Sequence, residues 1–437
     1  MAEDARALID RAPMSRLQVV AVGITMLLLA LDGFDVLSIS FAAPGIAAEW
    51  GIDRAALGVV LSMELFGMAA GALAIGALAD RIGRRLAILG CLAVMATGMV
   101  LCAAAGGMSL LSAYRLLTGF GIGGMLTSAN SMTAEFANTR RRSLCVSLTT
   151  IGYPVGAVIG GMIAAHLLAI YNWRAIFLFG SLCSLVCIPI TLLGLPESPS
   201  FLIERRKQTR LNKLLARMGH EPTALPPAAA DAGRAPALAD LFAPALRKTT
   251  ILLALAFFLH MTTFYFILKW APKIVVEIGY TPSSAAGVLV WANVGGAVGG
   301  GIFGLLTARI PLRALAVGTL ILSTGFVALF GRSPPDLATL SMLACIAGFF
   351  GNAAMAGLYT SAARAFPTSL RATGTGLAIG IGRGGAACSP ILAGALFKSG
   401  ATLPAVAALL ACGSLGAALL LLWMGSSVRL EESHFSN

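Results

Sequence analysis

Two aspartates three residues apart, Asp32 and Asp35, stand inside the run VVAVGITMLLLALDGFDVLSISFAA, whose other members are nearly all apolar. Residues at that spacing share a helix face. A carboxylate in hydrocarbon costs at least about 2.5–3.5 kcal/mol unless it is paired, wetted or protonated. Two of them on one face in a low dielectric can share a proton at neutral pH. At about 1.5 Å per residue they lie roughly 22 and 27 Å from the start of their run, and Arg115, in a later run entering from the other side, reaches the same layer. Asp32, Asp35 and Arg115 are therefore candidates for proton coupling. A structural Asp–Arg pair with the other aspartate near water is the alternative.

A second charge lies deeper. Arg383, in IGIGRGGAACSP, is roughly 18 Å into its run, near the membrane midplane, with glycines around it that let a ligand or a neighbouring helix approach. Guanidinium grips a carboxylate through a two-point fork, so Arg383 is the candidate for a substrate anion. The structural competitor is Glu64, at a similar depth, as a possible ion-pair partner. Phe34, Tyr153, Trp291 and Tyr359 could stack on a ring and Asn293 and Asn352 could bind ring hydroxyls, with packing the alternative; His260, near the midplane and followed by Tyr265, is expected to line the cavity, a neutral hydrogen-bonder being the alternative. Lys269 and Lys273 sit near the outer end of their run, where snorkelling accounts for them.

These residues must be held by membrane helices. The 437-residue chain is 58% hydrophobic and 11% charged, with a mean hydropathy of +0.87. Apolar runs of about 20 residues, enough for a helix to cross the bilayer, begin near Leu17, Ala55, Leu86, Ser109, Ser143, Trp173, Thr249, Ser283, Leu312, Leu337, Leu370 and Leu403. Lipid offers the backbone no partners, so the spans must be helical. The net charge of +12 does not point to nucleic acid, because 23 of the 31 Lys and Arg fall on one set of alternating loops. That asymmetry predicts an inner-membrane protein with both termini cytoplasmic. The first run continues to about Phe41 without a cleavage site, so it is expected to be a retained span. The eight cysteines form no CxxC pair and lie in or beside apolar runs, so no disulfide, metal or cofactor is expected.

A polar stretch, 196–248, divides the chain into six-helix bundles at 1–195 and 249–437. The two halves repeat each other in a constant register. Gly76, Asp80, Arg81, Gly83, Arg84 and Arg85 after the second span have a worn copy from Gly304 to Arg313, and Glu135 with Arg142 is echoed by Arg364 with Arg371. Parallel repeats of this kind mark transporters. The loop GALADRIGRR, the segments RLLTGFGIGG and PESPSFL, and the pair LDGFD with FPTSLRATGTGLAIGIGRGG resemble the major facilitator superfamily, and within it the aromatic acid:proton symporters. Leu377 departs from the bulky aromatic often found there.

The expected fold is thus all-α, with twelve transmembrane helices in two pseudo-symmetric six-helix bundles, the major facilitator fold. The resemblance implies that Gly76, Asp80, Arg81, Gly83, Arg84, Arg85, Glu135 and Arg142 form a gate that holds the outward-facing state through charge contacts between the halves; loop capping is the alternative. The expected function is proton-coupled import of an aromatic carboxylate, hydroxybenzoate-like or phenylpropionate-like, by alternating access. A non-aromatic organic acid such as a dicarboxylate or shikimate-like acid is the nearest rival, ahead of a sugar importer or an exporter. The expected partners are a small organic anion, protons and lipid, with a monomer as the working unit. No nucleophile or metal constellation suggests an enzyme.

Overall fold

The computed structural model describes residues 5–223, 238–367 and 370–432. Residues 224–237 of the polar stretch, and Thr368 and Ser369 of the segment from Phe366, lie outside them. The helices are α1 (Ala5–Arg11), α2 (Arg16–Trp50), α3 (Arg54–Ile82), α4 (Arg84–Ala103), α5 (Met108–Phe136), α6 (Arg142–Ile170), α7 (Arg174–Gly194), α8 (Pro199–Glu204), α9 (Gln208–Met218), α10 (Pro244–Glu277), α11 (Pro282–Leu306), α12 (Leu312–Phe330), α13 (Leu337–Ala365), α14 (Arg371–Lys398) and α15 (Leu403–Glu432).

The twelve long ones, α2 to α7 and α10 to α15, begin within five residues of the expected starts. Among the described residues eleven are long and apolar enough to cross a membrane. The twelfth, α5, has the length but carries Arg115 among many Gly, Ser and Thr. The chain is a multi-pass membrane protein. Below, the end at which α2 begins is the near end and the opposite one the far end.

Boundaries follow local chemistry. Gly51, at φ +59°, turns the chain after α2 in a backbone conformation that side chains resist. Oδ1 of Asp53 then accepts the N–H of Ala56 at 2.7 Å to cap α3. Its counterpart in the second half, Thr281, caps α11 by accepting the N–H of Ser284 at 3.2 Å. Pro44 inside α2 is matched in the same register by Pro272 inside α10.

By backbone packing the chain forms two compact units. One comprises Met1–Ser38, Gly67–Gly160 and Arg174–Gly233, the other Ile39–Phe66, Gly161–Trp173 and Arg234–Asn437. The divisions run through α2, α3 and α6, so the far ends of these helices belong to the second unit. There α3 is fastened to α10 and α14. Arg54 pairs with Glu277 at 3.1 Å and Asp53 with Lys398 at 2.9 Å. A Cβ on Gly58 would lie 2.4 Å from the carbonyl oxygen of Pro390. The hydrogen bond from Lys398 is the main reason the Asp53 carboxyl is held below its ordinary range.

Candidate functional site

In the first unit, α2 and α6 cross backbone to backbone. A Cβ on Gly33 would lie 2.0 Å from the carbonyl oxygen of Tyr153, and one on Gly156 would lie 1.8 Å from that of Ala30. Such contact through small residues is how membrane helices pack where no hydrophobic force separates them from lipid. It sets Asp32 and Asp35 in the interior, both fully buried.

Arg115, equally buried, comes to the same turn of α2. Its Nη2 donates to the backbone oxygen of Asp35 at 3.1 Å, and its Nη1 to Oγ of Ser38 at 3.2 Å. Ser38 in turn donates to the oxygen of Asp35 at 2.7 Å, and the ring of Phe177 lies 5.6 Å from the guanidinium carbon. Asp35 faces α7 where Gly180 leaves room, since a Cβ there would lie 3.0 Å from Oδ1. The structure thus unites Asp35 with Arg115 and adds Ser38, one helical turn from Asp35 and legible in principle from that spacing. Asp32, on the same helix face one turn earlier, brings a second buried carboxyl to this part of α2.

In the second unit Arg383 is half-buried and within electrostatic reach of the Tyr359 hydroxyl, itself near Tyr265. Neighbouring Gly382 and Gly385 bring α14 onto α10, the latter with a Cβ position 2.0 Å from the oxygen of Phe258. The ring of Tyr359 tilts against Phe257 at 5.5 Å.

The candidate rings divide by exposure. Trp291 is 53% and Tyr359 39% exposed, whereas Tyr265 is at 7% and Phe34 at 3%. Phe34 packs edge-on to Phe179 at 5.3 Å. Tyr153 and Asn352 are half-buried. Asn293, at 8% exposure, turns its amide back to the carbonyl oxygen of Leu289 at 2.8 Å.

Two expectations need correction. His260 does not line a cavity: it is fully buried, with Nε2 donating to the oxygen of Gly351 at 3.0 Å and Nδ1 bonded to Oγ of Ser414 at 2.8 Å. With one ring nitrogen donating to a carbonyl and the other sharing a hydrogen bond with a hydroxyl, the ring cross-links α10 to α13 and α15. Nor does Lys269 snorkel. It is fully buried and its Nζ meets Oε2 of Glu64 at 3.2 Å. Glu64 therefore does form an ion pair, and the partner that the sequence reading missed is Lys269, which lies 205 residues away.

At the near end of the first unit, Glu135 takes Arg84 and the hydroxyl of Ser198, and Asp80 lies 3.9 Å from Arg84. Gly83, at φ +106°, opens α4, and Oε1 of Glu197 accepts the N–H groups of Arg85 at 3.0 Å and Ser198 at 2.9 Å. A carboxylate at a helix start gains from the helix dipole. Arg142 pairs with Asp10 of the N-terminal helix, while Arg81 and Asp80 are exposed and Gly76 is half-buried. Glu197, Ser198 and Asp10 complete this knot; PESPSFL contains the first two.

Twelve long helices built as a repeat, with buried carboxyls in one unit and a half-buried arginine in the middle of a helix of the other, define a membrane transporter rather than an enzyme. The chain belongs to the Major Facilitator Superfamily, whose family model matches residues 25–331. It is 32% identical over 391 residues to the 4-hydroxybenzoate transporter PcaK of Acinetobacter baylyi, covering 88% of this chain and 86% of that protein. It is 31% identical over 440 residues to a gallate transporter of Pseudomonas putida, covering 97% and 95%. The inward-open xylose transporter XylE of E. coli shares the fold, with a TM-score of 0.74 at 16% identity over 93% of this chain and 96% of that one.

Proposed function

We propose that the protein imports an aromatic carboxylate, hydroxybenzoate-like or phenylpropionate-like, together with protons by alternating access, as a monomer in the inner membrane with both termini in the cytoplasm. The carrying observation is the position of Arg383 in the middle of α14, within electrostatic reach of Tyr359, a fork for a carboxylate near a ring for a ring. Relatives named for 4-hydroxybenzoate and gallate, both ring carboxylates, support the substrate class. The alternating Lys and Arg loops support the orientation.

In this reading the Asp32–Asp35 cluster takes a proton from the outer side and the anion seats on Arg383. Neutralising the acid lowers the cost of the occluded state, which couples the two bindings. The gate residues from Gly76 to Arg142 then switch access at the near end. Lys269, a second buried cation, favours a dicarboxylate as the second reading, because protonation of Glu64 would release its ammonium.

The test is uptake into proteoliposomes under an imposed pH gradient, across hydroxybenzoates, phenylpropionates, dicarboxylates and sugars. Asp32→Asn and Asp35→Asn should abolish uphill accumulation while counterflow exchange persists, and His260→Gln should keep its coupling. Arg383→Ala should raise the half-saturating concentration about 100-fold, from about 2–3 kcal/mol for a charge-assisted bond. Undiminished uphill uptake in both aspartate variants removes the coupling role, and unchanged affinity in Arg383→Ala removes the substrate role.

A further inference from the structure

The two halves carry matching arginine contacts at the near end, and one of them is missing its acid. In the first half Arg85 donates to the carbonyl oxygen of Leu192 in α7. In the second, its repeat counterpart Arg313 donates to the carbonyl oxygen of Leu422 in α15. The first half completes its knot with Glu135, which takes Arg84 and Ser198. The residue in register with Glu135 is Arg364, so a second guanidinium stands where the repeat calls for a carboxylate.

Around it is a cavity of about 330 Å³, lined by Thr249, Arg313, Ser361, Arg364, Leu421 and Met424 among others. None of its lining residues is acidic, and among the described residues no carboxylate pairs with Arg313 or Arg364. The Nε of Arg313 is buried without a hydrogen-bond partner. Arg313 is also the second residue of α12, where the open N–H groups of the first turn add positive potential. At the same end Lys248 lies over the Trp423 ring at 4.6 Å, an aromatic and a cation of the kind found at membrane interfaces.

Two guanidiniums with two hydroxyls suit the oxygens of a phosphate. Leu421, Met424 and Leu312 offer the same cavity an apolar wall, which inorganic phosphate would leave unused and an acyl-linked phosphate would cover. The volume lies at the lower edge of ligand pockets, room for a headgroup and its first methylenes. We propose that this cavity binds the phosphate of an anionic phospholipid from the near-end leaflet, supplying the negative charge that Glu135 supplies in the first half.

The full chain, purified in detergent, is titrated with phosphatidylglycerol, phosphatidylcholine or inorganic phosphate, and adducts are read by native mass spectrometry. Phosphatidylglycerol should bind at least about ten-fold more tightly than phosphatidylcholine, one charge-assisted contact's worth. Arg364→Glu, which installs the first half's acid, should lose that preference, while Arg364→Lys should keep it. Arg313→Gln is the second variant should Arg364→Glu fail to fold, and it too should lose the preference. An equal affinity for the two lipids, or an undiminished preference in Arg364→Glu and Arg313→Gln, overturns the site. Inorganic phosphate displacing phosphatidylglycerol with comparable affinity overturns the lipid as its source. None of these readouts depends on substrate uptake.

Discussion

In the first half Gly156 of α6 meets the carbonyl oxygen of Ala30 in α2. At the equivalent place in the second half, Gly385 of α14 meets that of Phe258 in α10, with Cβ positions 1.8 and 2.0 Å from those oxygens. Gly71 on Phe120 and Gly299 on Phe349 repeat the match at 1.9 and 2.1 Å. The side chains on the same helices do not follow. Asp32 maps onto His260 and Asp35 onto Thr263. Arg115 bonds to the backbone oxygen of Asp35 at 3.1 Å, whereas His260 bonds to Gly351 and Ser414 and Thr263 donates to the oxygen of Leu410 at 2.6 Å. The repeat has kept the backbone approaches that lipid-embedded helices need to associate and varied the groups set between them, with carboxyls at the positions in α2 where α10 carries hydrogen-bonded cross-links.

The ion pair Glu64–Lys269 has no copy, and it gives the largest break to test. The corresponding positions in the repeat are Ala292 and Phe41, both buried. Removing one partner of a buried pair strands the other charge and costs about 3–5 kcal/mol, whereas replacing both with apolar groups is often neutral or stabilising. Lys269→Phe alone should therefore sharply lower the melting temperature, and Glu64→Ala with Lys269→Phe, which installs the copy's residues, should recover most of it. A double variant as unstable as the single would mean that the pair itself, and not the stranded charge, holds α3 to α10.

Much of this was legible in the sequence, for identifiable reasons. A membrane span is long and chemically uniform, so Leu312, Leu337 and Leu403 are exact starts and the others lie close. The acid cluster was legible because i, i+3 spacing and depth are local counts. Lys269 was not: near the end of a span, a lysine that snorkels and one that turns inward to Glu64 have the same sequence signature. The partners of His260 were not legible either, since its bonds go to Ser414, 154 residues away, and Gly351, 91 away. Glycine identity suggested thin helices at Arg383, while the carbonyl each glycine meets needed the partner helix.

The shared crossings supply a second test, of middling size. Gly156→Ala and Gly385→Ala each push a methyl group onto a carbonyl that cannot turn aside, and overpacking of this kind costs about 1–3 kcal/mol. The two variants should lose similar stability in thermal melts. A loss confined to Gly156→Ala would show that the second half tolerates separation of α10 and α14, making the α2–α6 crossing the more constrained of the two.

The smallest effect separates the two matching helix caps by pH. Asp53 on α3 and Thr281 on α11 occupy equivalent positions and accept equivalent N–H groups, but only the aspartate titrates. Its carboxyl is held below the ordinary value of 3.8, first by the hydrogen bond from Lys398 and next by the N–H of Ala56. A group whose folded value is depressed stabilises the fold fully above its unfolded value, and that contribution fades as pH falls through the folded one. Asp53→Ala should therefore lower the melting temperature at pH 7, and by progressively less in acid as the pH falls below 3.8 and through the depressed folded value. Thr281→Ala should cost about 1 kcal/mol at pH 7 and in acid alike. If Asp53→Ala were equally destabilising at pH 7 and in acid below the folded value of the carboxyl, the aspartate would be acting there as a neutral hydrogen-bond acceptor, as its threonine counterpart does, and the bond to Lys398 would contribute nothing to the cap.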